Sequence, residues 1–127
     1  MSNFEVYNGW HGGYPTWNVA LWLDNDGSDS MLEEWATELL KESYGDDIDE
    51  AVNDATYQLS IRLKDYINEQ NPLGDEASMF SDMLGYMIDS VNFYEIAEHY
   101  VEDVRGDFEE EMQAEQDEQD SIPDGQD

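Results

Sequence analysis

Along most of this chain apolar residues return at three- and four-residue steps, the period of a helix that buries one face. Leu32, Trp35, Ala36, Leu39 and Leu40 share one such face, and Ser30 with Glu33 forms a capping-box pattern that predicts a helix over residues 30 to 42. Val52, Ala55, Leu59, Leu63, Tyr66 and Ile67 make a longer stripe that predicts a helix over 49 to 69, stopped by Asn71, Pro72 and Gly74. A further helix over 75 to 90 is expected to bury Ala77, Phe80, Leu84, Met87 and Ile88, with Gly85 permitting a close neighbour. Asn92 and Glu95 repeat the capping pattern and open a last helix. Its inner face carries Phe93, Ile96, Ala97, Tyr100, Val101, Val104 and Phe108.

The ends of the chain read differently. Residues 1 to 15 mix aromatic residues with Gly9, Gly12, Gly13 and Pro15, which predicts an irregular segment whose aromatic rings plug the core. Thr16 is the expected cap of a short helix over 17 to 24, apolar on every side and therefore expected to be buried, with a central strand as the alternative. Beyond Met112 the apolar period is lost, so residues 113 to 127 are expected to be a disordered acidic tail behind a single domain of residues 1 to 112. The fold class expected is mainly α: a compact helical bundle of about five helices.

Charge changes this picture more than any motif. The 127 residues include 33 Asp and Glu against Lys41, Arg62, Lys64 and Arg105, a formal net charge of −29. Residues 24 to 112 carry 26 of those acids, so a detachable tail cannot account for the excess. Self-repulsion on this scale opposes compaction and calls for a cationic partner, a bound metal or a saline medium. Membrane binding and direct nucleic acid binding are both disfavoured, because anionic surfaces repel such a chain. No apolar run reaches the ~20 residues of a membrane span, and the first residues lack a secretory pattern, so the expected location is the cytoplasm of the host cell.

Catalytic and metal chemistry find little support. Without cysteine there is no thiolate nucleophile or thiolate metal site. Asp24, Asp26 and Asp29 suggest a calcium loop, but that register puts Asp29 where a glycine belongs and Trp35 where the bidentate glutamate belongs. His11 and His99 are the only histidines, and no Glu-x-x-His spacing occurs. Phosphate-cradling glycine loops and serine elbows are absent from the sequence. The expectation is a protein that is not an enzyme and has no cofactor or metal.

The carboxylates themselves are the candidate chemistry. B-form DNA carries one negative charge per about 1.7 Å of axis, so the net charge equals that of ~15 base pairs. Acids three or four residues apart on a helix stand about 5 to 6 Å from each other, near the spacing of phosphates along a strand. The expected phosphate surrogates are Glu33, Glu34, Glu38, Asp46, Asp47, Asp49, Glu50, Asp54, Glu95, Glu98, Glu102, Asp103, Asp107, Glu109, Glu110 and Glu111. The expected role is a DNA-mimic inhibitor that fills the basic groove of a host defence protein, with a homodimer as a possible extension. The alternative is an acidic adaptor or assembly protein of a phage or halophile, whose charge serves solubility in salt.

Tyr14-Pro15-Thr16-Trp17-Asn18-Val19-Ala20-Leu21-Trp22-Leu23-Asp24-Asn25-Asp26 resembles the N-terminal signature of a family of small phage and mobile-element proteins. Val91-Asn92-Phe93-Tyr94-Glu95-Ile96-Ala97-Glu98 is similar to the start of that family's C-terminal helix. The resemblance covers about a sixth of the chain and implies a phage or plasmid setting without an activity. In composition and helical pattern the chain also resembles phage anti-restriction DNA mimics, which fill the DNA groove of restriction enzymes.

Overall fold

The computed structural model describes residues 4 to 121, with side chains to residue 115. Five helices follow in order: α1 (Gly13–Asn25), α2 (Ser28–Ser43), α3 (Ile48–Glu69), α4 (Met79–Asp89) and α5 (Phe93–Ser121). Among the described residues there is no strand, only an isolated antiparallel bridge between Tyr7 and Trp10.

α2, α3 and α5 pack against one another and form the trunk of the bundle. Their inner faces are those the apolar period marks: Leu32, Ala36 and Leu40 from α2, Ala55, Leu59 and Leu63 from α3, Ile96, Ala97 and Val101 from α5 are all sealed from solvent. Each large aliphatic side chain so buried is worth about 1.5 to 3 kcal/mol. Phe108 extends the seam, meeting the Tyr44 ring edge to face at 5.6 Å. α1 lies against α2 and α5. α4 touches the body through Ile88, with Leu84 half-buried, and Val91 just beyond its end.

Several local expectations give way to longer-range contacts. Thr16 does not cap α1, which starts three residues earlier at Gly13. Pro15 fits its first turn because the amide missing there would have no helical partner. Thr16 is instead wholly buried, and its hydroxyl accepts the Asn92 amide at 2.8 Å. Nor is α1 buried all round: Trp22 is 63% exposed and Leu21 38%. The Ser30 box does not form, because α2 begins at Ser28 behind Gly27. Gly27 has φ +89, a left-handed turn that glycine adopts without cost. α4 begins at Met79 rather than at 75, since Ser78 supplies the cap by accepting the Ser81 amide. Ala77 and Phe80 are exposed in consequence, and nothing approaches Gly85 closely. α5 runs past Met112 to Ser121, so residues 113 to 121 of the expected tail continue the helix. Residues 122 to 127 lie outside the described part.

The N-terminal segment is tied down by one carboxylate. Asn92 caps α5 by accepting the Glu95 amide at 3.1 Å. The Glu95 side chain does not turn back to complete a capping box; its two oxygens accept the amides of His11 and Gly12, each at 2.8 Å. The backbone comes so close here that a Cβ on Gly12 would collide with Thr16 and Asn92. Glu95 is therefore buried, which removes it from the exposed acids expected of this helix.

Glu95→Gln leaves one acceptor oxygen and turns an amide nitrogen toward a backbone N–H. Hydrogen bonds to charged groups contribute about 1.5 to 3 kcal/mol each, so the substitution should cost about 3 kcal/mol in urea unfolding. A loss below about 0.5 kcal/mol, the range of ordinary surface changes, would show that this carboxylate does not hold the segment.

Candidate functional site

The helical period that sends apolar residues inward leaves two rows of acids on α5. Glu98, Glu102 and Glu109 run along the side facing α3, with Arg105 in the same row. Asp103, Asp107 and Glu110 form a second exposed row, of which Asp107, together with Glu111, lines a groove against α2. From Glu98 to Glu111 the rows rise about 20 Å along the axis at 1.5 Å per residue. Across from the second row, Glu33, Glu34 and Glu38 of α2 line the same groove as Asp107 and Glu111, a space of about 580 Å³. Sequence spacing alone does not reveal this convergence, because it depends on how α2 and α5 cross.

Fifteen of the sixteen expected surrogates are exposed; Glu95 is not. The structure brings Glu33, Glu34, Glu38, Asp107 and Glu111 together around the groove. Asp46, Asp47, Asp49, Glu50 and Asp54 gather instead around the start of α3. Local duties explain part of that second cluster. Asp47 caps α3 by accepting the Asp49 amide at 2.9 Å, and acids in a first helical turn are favoured by the helix dipole.

Cations stand at the seams between the acidic helices. The Arg105 guanidinium of α5 donates to Asp49 of α3 at 2.7 Å and to Glu109 of its own helix at 2.9 Å, and lies 3.7 Å from Glu102. Those hydrogen bonds hold its pKa above the ordinary arginine value. Lys41 of α2 stands 3.9 Å from Glu111 of α5 across the groove. Arg62 of α3 lies over the Trp35 ring of α2, 5.1 Å from its centre. Such exposed pairs contribute at most about 1 kcal/mol each, so they ease repulsion at the seams without supplying the stability of the trunk.

The acids from the end of α1 to the start of α2 are occupied with structure as well. Tyr100 donates its hydroxyl to Asp24 at 2.6 Å, and Asp26 accepts the Ser28 amide at 2.9 Å. Burial raises the Tyr100 pKa, and the hydrogen bond to Asp24 raises it further. Among the described residues no group of three or more His, Asp and Glu is placed to hold a metal ion. His99 is exposed and stacks on Trp10, with ring centres 4.2 Å apart. No helix among the described residues is long and apolar enough to cross a membrane. Comparison with family models, curated proteins and solved structures finds no match to this chain.

The tyrosine contact has a pH signature. A folded pKa raised above the usual value of about 10 means that this contribution is complete below pH ~10 and is lost as pH rises above it. Tyr100→Phe removes the hydrogen bond and should cost about 1 kcal/mol near neutral pH. The advantage of the wild-type protein over the variant should then shrink in denaturant titrations carried out above pH ~10. A constant difference between the two proteins across that range would contradict the assignment.

Proposed function

We propose that the protein is a DNA-mimic inhibitor, a binding protein without catalysis that occupies the basic DNA-binding groove of a host defence protein such as a restriction or CRISPR effector. The observation that carries this proposal is the paired array of exposed acids on α5, faced across a groove by a third set on α2. Its length of about 20 Å equals roughly six base-pair steps of a duplex. Carboxylates fixed on helices would meet the target's lysines and arginines as phosphates do and offer no bond to cleave. The same proposal places the protein in the cytoplasm of a host cell.

A second proposal, an acidic adaptor or assembly protein adapted to salt, draws on acids outside these rows. Asp65, Glu69, Asp75, Glu76, Asp82 and Asp89 are exposed on α3, on α4 and on the link between them.

Two measurements separate the proposals. In the first, the protein should displace duplex DNA from a basic restriction or CRISPR effector, with affinity falling at least about tenfold between roughly 50 and 200 mM salt. Capture of partners that are indifferent to added DNA would favour the adaptor. In the second, the thermal midpoint should rise over the first ~0.15 M of added NaCl, where the screening length falls to about 8 Å, and then level off. A fold that needs molar salt would favour salt adaptation.

A further inference from the structure

α4 departs from the rest of the surface. Met79 and Phe80 are each 64% exposed, Met83 57% and Tyr86 54%, four large apolar side chains on one short helix, where α1 exposes Leu21 and Trp22 and α3 exposes Tyr57 and Ile61. Met79, Met83 and Tyr86 step by four and three residues, which places them in one line along the outside of the helix. Phe80 and the half-buried Met87 run beside that line. At about 150 to 250 Å² for an aromatic side chain and somewhat less for methionine, the exposed part amounts to roughly 500 Å². That matches the largest apolar patch an ordinary monomer shows, a size that is often functional.

We infer that the outward face of α4 is a docking surface for a basic amphipathic helix of a partner protein. The four-and-three stepping over two turns is the seam that a second helix fills with its own apolar residues. Methionine suits such a seam because its unbranched, polarisable side chain adapts to the shape laid on it. The charge of the partner follows from the flank. Asp82 and Asp89, seven residues apart, run along one side of the apolar line, and exposed Asp75 and Glu76 precede its start. A helix lying on Met79, Met83 and Tyr86 places its own flanking residues against those carboxylates, where lysine or arginine is attracted and acid repelled.

The same flank disfavours a second copy of the chain. Antiparallel pairing of α4 with itself would set Asp82 against Asp89 of the copy, between two molecules each of net charge −29. This inference does not depend on imitation of DNA, since it concerns a different helix and an apolar contact.

The test uses the full-length protein and two synthetic peptides. One carries leucines at three-and-four spacing with lysine elsewhere; the other has the same composition scrambled to break the helical period. The patterned peptide should bind at least about tenfold more tightly than the scrambled one in about 0.5 M NaCl, where screening removes most non-specific attraction. Met79→Ser/Met83→Ser should weaken that binding by at least about tenfold. Phe80→Ser serves as a second variant, and circular dichroism should be unchanged in both because the altered side chains are exposed. Asp103→Asn/Asp107→Asn/Glu110→Gln on α5 should change it less than about threefold, so failure here is distinct from failure of DNA competition. The inference is overturned if the two peptides bind alike or if the α4 variants bind as the wild-type protein does. It is equally overturned if sedimentation shows a wild-type dimer that Met79→Ser/Met83→Ser converts to monomer, because a second copy would then cover the face.

Discussion

Every helix of this bundle must be held beside others of the same charge, and this constraint orders the rest of the structure. Four basic residues cannot neutralise 33 acids, so cohesion falls to the apolar seam shared by α2, α3 and α5. The basic residues Arg105, Lys41 and Arg62 stand where two helices meet, the places at which like charges would otherwise crowd most. One carboxylate is turned inward. Glu95 gives up its hydration for two backbone amides and fixes the aromatic N-terminal segment, while Thr16 and Asn92 join α1 to the start of α5 beside it.

The trunk was legible in the sequence because each of its helices has a long apolar stripe. All seven inner-face residues expected on α5 are buried, and Leu59 and Leu63 mark the centre of α3 as their spacing implies. What was not legible depended on partners far along the chain. Glu95 follows Asn92 at the spacing of a capping box, and only the arrival of His11 and Gly12, more than 80 residues away, assigns its side chain elsewhere. Thr16 looked like a cap because its hydroxyl precedes the apolar run from Trp17, yet the first turn of α1 accommodates Pro15 and makes the threonine an interior residue. On α4 the apolar residues nearly encircle the helix, so the expectation that Ala77, Phe80, Leu84, Met87 and Ile88 would all be buried had no polar face to orient it. Only Ile88 is, with Leu84 and Met87 partly so.

The surface separates into two chemistries with different physics. The rows on α5 and α2 act over a distance, through charges that salt screens and that no single side chain dominates. The face of α4 acts only in contact, through apolar area that salt does not weaken, where single side chains count. A target engaged by both would be drawn in by the first and retained by the second. Single acid substitutions on the rows should then be mild, while loss of one methionine or phenylalanine on α4 should be felt.

The proposed mimicry depends on where the carboxylates stand, beyond how many there are. A variant with Asp103→Asn, Asp107→Asn, Glu110→Gln and Glu111→Gln, balanced by Asn53→Asp, Gln58→Glu, Asn68→Asp and Gln70→Glu, keeps the net charge and moves four acids from α5 to α3 and the residue that follows it. Competition against duplex DNA for the same basic effector should fall at least about tenfold in this variant, because steering by total charge survives but the array does not. Undiminished competition would contradict mimicry by position and leave the total charge as the cause.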